Sequence, residues 1–461
     1  MSYTSSANTS EQIQTKLSVA SCAAPSSLSL RQNFSWTMSG NVVYAGCQWG
    51  ILAVLAKLCP PETVGVFALA LALATPVMML LDLQLRSVQA TDSKEEYRFG
   101  EYLGLRLITT AVGFVVIAVL AFGSGHHGST LLVILGVAVF KCIEAFSEGL
   151  RGLFQQRERM DLIAKSLIIK GMLALTLATA GLLLTHALMG TVIGMCLGYF
   201  LVLIFYEMPC CSMLLKDDRA YWPIWSSGRL WQLAWVALPL GIVQMLFSLS
   251  SNLPRYFIER YRGPGELGIF AVLAAFILVG GTVVNAMGLS ALPRLARYFA
   301  DGDYRGFRQL LTRMVGFGVI LGLAGIAGAA IFGHTVLLWI YQPIYAEHTQ
   351  TLLLIMLCAT ITYVAGFLSG GMMAVRLFRA QLPVLTASTL ATLAACQWLV
   401  PAMGMNGAVV AMSLGMATLA IGSLLVVLLA IHNSLGLHYH SCPTSTESGT
   451  CRGMEERSDG T

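Results

Sequence analysis

Stretches of roughly twenty predominantly apolar residues, separated by short polar connections, recur about twelve times along the chain. Roughly twenty residues is what an α-helix needs to cross a ~30 Å hydrocarbon layer. The expected spans are 35–58, 63–85, 103–123, 130–150, 162–185, 187–207, 231–254, 266–291, 314–340, 350–374, 382–401 and 405–431. The fold class this pattern implies is all-α, a polytopic membrane protein of about 12 transmembrane helices. The longest connection, 208–230, leaves no room for a folded soluble domain.

Composition agrees. Only 11% of the 461 residues are charged and 56% are hydrophobic, whereas soluble domains carry about 25% charge. That excludes an ordinary soluble enzyme. Charge placement then orients the spans, because Lys and Arg are retained on the cytoplasmic side. With both termini cytoplasmic, that side holds twenty-two of the 28 basic residues, and the opposite side holds only Lys57, Arg255, Arg260 and Arg262. Lys141 and Lys170 fall inside spans. A miscounted span would scramble this asymmetry, so an even number of crossings is expected.

The tails add little chemistry. The polar stretch 1–34 lacks the basic head and apolar run of a secretory signal. Val19-Ala20-Ser21-Cys22 has the form of a lipoprotein box, but Ser10 to Ser18 before it is too polar to insert. Eleven cysteines without regular spacing imply neither a disulfide framework nor a zinc site. His432, His438, His440, Cys442 and Cys451 lie in a Ser-, Thr- and Glu-rich stretch, 432–461, that reads as a disordered tail.

An internal repeat divides the rest. Glu62-Thr63-Val64-Gly65-Val66-Phe67-Ala68 and Glu266-Leu267-Gly268-Ile269-Phe270-Ala271 align at a shift of 203 residues, each at the outer mouth of a second helix. Six spans plus six spans follows: an N-terminal lobe 35–207, a cytoplasmic linker 208–230 and a C-terminal lobe 231–431. Six is even, so the lobes share one orientation and relate by a pseudo-twofold axis along the membrane normal, around a central cavity. Gly190, Gly194 and Gly198, Gly318 and Gly322, and Gly366 and Gly370 are spaced four apart, as helix-packing seams require.

Charges inside spans need partners or water, since each costs at least ~2.5 kcal/mol in the bilayer interior. Lys141, Glu144, Glu148 and Arg151 are spaced three, four and three apart, which puts them on one face of the fourth helix. Lys141 and Lys170 reach similar depth near the midplane, and Lys170 has no acidic residue on its own helix. Two readings stay open: an ion pair of Lys141 with Glu144 that locks helices together, or a hydrated cavity whose lysines attract an anionic head group and whose Glu144 or Glu148 binds a coupling proton or sodium. Asp82 and Arg86, four apart, read as a local ion pair. Arg255 and Glu259 are likewise four apart, and with Lys57, Arg260 and Arg262 they place positive charge at the outer ends of helices 1 and 7. Asn41, Gln48, Gln244, Asn285 and Gln397 are interior amides. Gln48 beside Trp49 could stack on and hydrogen-bond a sugar, and Asn41 is a further candidate for such a contact. Pro76 and Pro239 can bend their helices.

Some chemistry is missing. There is no G-x-x-x-x-G-K-[ST] loop for ATP, no long outer loop with paired carboxylates for glycan chemistry, and no Gly-x-x-x-Asp-Arg-x-Gly pattern of major-facilitator carriers.

Several stretches carry a resemblance: Gly40-Asn41-Val42-Val43-Tyr44, Gln48-Trp49, Ala56-Lys57-Leu58, Val64 to Ala70, Leu85-Arg86, Thr91-Asp92, Tyr102-Leu103-Gly104-Leu105-Arg106, and Arg151-Gly152-Leu153-Phe154-Gln155-Gln156-Arg157-Glu158-Arg159. On these the chain resembles the polysaccharide exporters of the multidrug/oligosaccharidyl-lipid/polysaccharide superfamily, the O-antigen or lipid-linked oligosaccharide flippases. The resemblance implies an alternating-access carrier rather than an enzyme. Its cargo would be an undecaprenyl-diphosphate-linked oligosaccharide, moved from the cytoplasmic to the periplasmic leaflet of a bacterial inner membrane. Its partners would be that lipid-linked cargo, membrane lipids, a coupling ion and other polysaccharide assembly proteins, with no cofactor, metal or nucleic acid. Carried onto this sequence, the cavity cations are Lys141 and Lys170, then Lys57 and Arg255, and the ion-coupling candidates are Glu144 and Glu148. One departure is that helices 10 to 12 have no deep ionisable residue, so the cavity charge would be lopsided. The rival readings are a drug/cation antiporter of the same superfamily, which should favour acidic cavity residues, and a membrane-embedded glycan polymerase or acyltransferase.

Overall fold

The computed structural model describes residues 30–92, 94, 96–215, 222–375 and 377–440. The Val19 to Cys22 box, Cys442 and Cys451 lie outside them. Among the described residues there are helices and turns and no strand. In chain order the helices are α1 (Leu30–Leu58), α2 (Pro61–Asp82), α3 (Leu85–Thr91), α4 (Phe99–Gly123), α5 (Gly128–Gln156), α6 (Met160–Thr185) and α7 (Leu188–Val202). A π-helical turn, Leu203–Glu207, joins α7 to α8 (Met208–Leu215). Then come α9 (Ser227–Ala300), α10 (Tyr304–Ile340), α11 (Pro343–Ala346), α12 (Thr349–Ala374), α13 (Phe378–Met403) and α14 (Met405–His440).

Eleven of these segments are long and apolar enough to cross a membrane. The 74-residue α9 would measure about 110 Å if straight, more than three times the hydrocarbon thickness. It is not straight. Gly263, at φ 85° and ψ 177°, breaks it into 227–262 and 264–300, and Pro264 follows because it cannot continue a helix. Twelve crossings result, so α1 begins and α14 ends on the same side, called here the tail side. The helix ends differ from the sequence reading at several places. α1 starts at Leu30 rather than 35, α14 continues to His440 where a disordered stretch was expected from 432, and the sixth span continues past 207 to Leu215.

The 203-residue repeat is visible as geometry. A Cβ added to Gly65 would strike the carbonyl of Pro264, and one added to Gly268 would strike the carbonyl of Pro61. The same shift relates Pro61 to Pro264 and Gly65 to Gly268, so the two contacts exchange under a pseudo-twofold axis that passes between α2 and the second part of α9. Only glycine permits backbones this close. The seam on α7 behaves likewise: Gly190 and Gly194 abut the carbonyls of Gly181 and Leu177 on α6, and Gly198 abuts Ala174. Gly318 and Gly322 meet Phe367 and Thr360 on α12, whereas a Cβ on Gly370 would meet nothing.

The lobes touch unevenly. At the far side, opposite the tails, α2 crosses α9 at the glycines, and α1 reaches the end of α10. On the tail side they touch along one flank, where Ile224 N donates to Gly100 O at 2.8 Å, Gly241 abuts the Leu80 carbonyl, and Arg229 pairs with Glu101 at 2.6 Å. Trp222, Trp225, Trp231 and Trp235 are exposed near the tail side and Trp339 near the far side, as interfacial aromatics are.

Candidate functional site

Two groups of charged residues stand out in the N-terminal lobe, one wet and one dry. In the first, the ladder on α5 pairs internally and across helices. Lys141 Nζ donates to Glu144 at 2.7 Å, and Arg151 donates to Glu148 at 2.8 Å. Arg86 on α3 donates to the other oxygen of Glu148 at 3.0 Å and to Gln155 at 2.8 Å. Tyr44 on α1 donates to Glu144 at 3.0 Å and contacts the hydroxyl of Tyr199 on α7, which accepts from Gln48 at 2.8 Å. Apart from Lys141, which is not among the lining residues, this face borders a cavity of about 140 Å³, lined by Thr37, Asn41 and Tyr44 of α1, Arg86 of α3, Glu144, Glu148 and Arg151 of α5, and apolar residues of α6.

The second group is sealed. Lys170 on α6 and Glu207, the last residue of the π turn, are both 0% exposed and lie 2.7 Å apart. The same Glu207 oxygen accepts from Ser147 at 2.8 Å and from Ser166, while Lys170 also contacts Ser147. Lys170 therefore does not border the cavity. Its counter-ion comes from the sixth span. Glu207 went unnoticed in the sequence because that span was taken to end there, at the interface. With the helix continuing to Leu215, Glu207 sits about 12 Å inside, at roughly the depth of Lys170 counted from Met160.

Neighbouring pairs also rearrange. Asp82 and Arg86 do not pair, correcting the sequence reading. Leu83 and Gln84 both adopt left-handed backbone (φ 52° and 51°), which ends α2 and turns α3 away. Asp82 instead accepts from the buried Arg106 of α4, which frees Arg86 for Glu148. Glu259 pairs with His126 at 3.2 Å rather than with Arg255. Arg255 donates to Asn252 at 3.2 Å, and its Nε has no partner and no carboxylate beside it among the described residues. Lys57 is exposed and donates to the Tyr341 carbonyl at 2.8 Å. Of the amide candidates, Asn41 lines the cavity and donates to Thr37 O at 2.8 Å, Gln48 bonds Tyr199, and Trp49 packs edge-on against Tyr341 with centroids 6.5 Å apart.

The charge balance is the useful result. Lys141 with Glu144, Lys170 with Glu207 and Arg106 with Asp82 cancel one for one. Glu148 alone is shared between two guanidinium groups, Arg86 and Arg151. The network thus carries one excess positive charge, on the two arginines that line the cavity, and Arg151 Nε is buried without a partner. The spacing on α5 exposed Arg151 as part of the face but not Arg86, which arrives from another helix. In the C-terminal lobe no ion pair links α12, α13 and α14 among the described residues; hydroxyl and amide bonds such as Thr351 to Asn406 at 2.8 Å and Ser250 to Thr389 at 3.1 Å hold it instead. No cluster of metal-binding side chains occurs among the described residues.

Twelve apolar crossings, a pseudo-twofold pair of lobes and an interior charge network define a helical membrane protein with the fold of multidrug/oligosaccharidyl-lipid/polysaccharide superfamily transporters. The family "Polysaccharide biosynthesis protein" matches residues 30–299, and the chain belongs to it. It is 25% identical over 333 residues to the capsular polysaccharide biosynthesis protein CapF of Staphylococcus aureus, covering 70% of this chain and 80% of that protein. Solved structures share the fold at lower identity. An inward-facing multidrug-resistance MATE family transporter superposes with a TM-score of 0.60 at 13% identity, over 90% of this chain and 97% of that one. A superfamily transporter from Pyrococcus furiosus, described as having a binding pocket of reverse polarity that suggests a different function, superposes with a TM-score of 0.60 at 15% identity, over 87% of this chain and 94% of that one.

Proposed function

We propose that the chain is a flippase that moves an undecaprenyl-diphosphate-linked oligosaccharide from the cytoplasmic to the periplasmic leaflet of a bacterial inner membrane. The tail side is cytoplasmic on this reading, as the basic residues require. The observation that carries it is the uncompensated charge of Arg86 and Arg151 at the tail-side cavity. Guanidinium forks match phosphate oxygens two at a time, and a diphosphate bound there would replace Glu148 as their partner. A cavity of about 140 Å³ suits a phosphate group and a few waters rather than a sugar chain. On this reading it is the phosphate end of a larger site, with the sugars between the lobes.

Transport then follows from rocking the lobes about their pseudo-twofold axis. Glu148, displaced by phosphate, and Glu144 beside it are the carboxylates on which a coupling proton or sodium would exchange with cargo. Lys141 is neutralised by Glu144, which leaves the excess charge on the two arginines. Lys57 and Arg255 lie nearer the far side and would meet the diphosphate only after the lobes rock. Lys170 serves as a structural partner of Glu207. A drug/cation antiporter would be expected to carry excess acid in its cavity, opposite to the balance here. The superfamily fold accommodates pockets of differing polarity, as the Pyrococcus transporter illustrates.

Deleting the gene separates the readings. Loss of a flippase should accumulate lipid-linked units on the cytoplasmic leaflet. Single units already exported and attached would instead indicate a polymerase and overturn the proposal.

A further inference from the structure

Arg260 and Gln397 stand out in the sequence as a charge and an amide at or near helix ends, and the tail-side site uses neither. The structure brings them together at the far-side end of the C-terminal lobe. Arg260 lies just before the break of α9 at Gly263, and Gln397 just before the end of α13 at Met403. Between them is a cavity of about 310 Å³, more than twice the tail-side one. Its lining is Tyr256, Phe257, Arg260 and Tyr261 of α9 and Gln397 of α13. Tyr256 with Arg260 and Phe257 with Tyr261 are each four apart, so helical spacing groups all four on one broad face. Phe257 and Tyr261 stack with centroids 6.2 Å apart and planes at 27°. The Tyr256 hydroxyl donates to the carbonyl of Ala72 on α2, the carbonyl whose helical partner Pro76 removes by having no amide hydrogen. That contact puts one wall of the cavity at the seam between the lobes.

Two features define what this cavity suits. Among the described residues no aliphatic side chain lines it, so it offers little to an acyl chain. It offers aromatic rings, whose negative faces accept the weakly positive C–H bonds of a sugar ring, and amide and guanidinium donors for the hydroxyls. Its one charge is also uncompensated. Arg260, like Gln397 and the Tyr261 hydroxyl, makes no hydrogen bond or ion pair among the described residues. Its charged neighbours are engaged elsewhere, Glu259 with His126 at 3.2 Å and Arg262 with the Pro401 carbonyl at 3.2 Å. The 203-residue shift carries Lys57 onto Arg260. Lys57 donates to the carbonyls of Tyr341 at 2.8 Å and Trp339 at 3.4 Å, so of the two related cations one joins the lobes and the other is left for a ligand.

We propose that the far-side cavity is a sugar-ring site. Phe257 and Tyr261 supply its aromatic surface, Gln397 binds ring hydroxyls, and Arg260 favours a ring that carries a carboxylate, which a guanidinium fork matches at two points. The two polar ends of the cargo then meet different lobes, the diphosphate the N-terminal lobe at the tail side and a sugar the C-terminal lobe at the far side. This rests on the reading of the cargo as a lipid-linked oligosaccharide.

The test uses the full chain in phosphatidylcholine nanodiscs and three soluble probes: a trisaccharide containing glucuronic acid, the same trisaccharide with its carboxyl reduced to an alcohol, and glycerol phosphate as a free head group. Binding is read by saturation-transfer NMR on the probes, against empty nanodiscs. The acid sugar should bind the wild type more tightly than the reduced sugar, and both more tightly than glycerol phosphate. Arg260→Gln should weaken the acid sugar by about tenfold and bring it level with the reduced one. Tyr261→Ala, at an exposed position that does not endanger folding, should weaken both sugars. No sugar binding by the wild type, an Arg260→Gln protein that still prefers the acid sugar, or glycerol phosphate as the tightest probe would overturn the proposal. Free sugars need no lipid carrier, so this failure is separate from failure of the diphosphate reading, which movement of lipid-linked cargo between leaflets measures.

Discussion

Lys170 and Glu207 illustrate why a single side chain's role depends on a neighbour that spacing cannot show. Each is buried at 0% exposure, and each would be an isolated charge without the other. Removing one partner of such a pair costs about 3–5 kcal/mol, while replacing both with apolar residues of similar volume is often neutral. Lys170→Ala should therefore lower the thermal unfolding temperature sharply, and Lys170→Met combined with Glu207→Leu should recover most of the loss. The α5 ladder was legible in the sequence because helical periodicity aligns residues three and four apart on one chain segment. The Glu207 and Arg86 contacts were not, because they cross between helices whose ends and rotation the sequence left open. Arg86 and Arg151 carry the anion-binding expectation. Arg151→Gln removes a charge-assisted donor worth roughly 1.5–3 kcal/mol, so affinity for an undecaprenyl-diphosphate lipid should drop about ten- to hundredfold by direct titration.

At the level of helices, the twelve crossings and the repeat were legible, since apolar run length and a shared Gly-x-Phe-Ala stretch survive in one dimension. The α2–α3 break was not, because Leu83 and Gln84 take left-handed backbone without a glycine or proline to announce it. That break decides which carboxylate Arg86 meets. The crossing at Gly65 and Gly268 admits no side chain. Gly65→Ala should strain it by about 1–3 kcal/mol or more and lower thermal stability, whereas Gly46→Ala, with open space around its Cβ, should leave stability near wild type. The connection before α4 is fixed by Asp92, which accepts from the amides of Glu96 at 3.0 Å and Tyr97 at 3.1 Å and from the Tyr102 hydroxyl at 3.1 Å. Burial opposes ionisation there, but these donors hold the carboxyl below its ordinary value of 3.8. Its contribution is present above that value and lost as pH falls through the lowered one, so protection of the Glu96 and Tyr97 amides from exchange should fade only in strong acid, and Asp92→Asn should weaken it at neutral pH.

Over the whole molecule, the lopsided charge expected from the sequence is realised as a division of labour. The N-terminal lobe holds the arginine-lined cavity and the Lys170–Glu207 pair, and α12 to α14 of the C-terminal lobe are knit by hydroxyls, amides and apolar packing. On the proposed reading, lobes joined at the far side and along one tail-side flank, with excess charge at the tail-side cavity, suit the loading of an anionic lipid head group from one leaflet. The decisive measurement is movement of a fluorescent undecaprenyl-diphosphate oligosaccharide between leaflets of liposomes that contain the purified protein. Wild type is expected to speed that movement, and Arg86→Gln with Arg151→Gln to slow it by about tenfold or more at unchanged folding. Movement no faster than in protein-free liposomes, or a double variant as fast as wild type, would contradict the assignment of the cavity to the diphosphate.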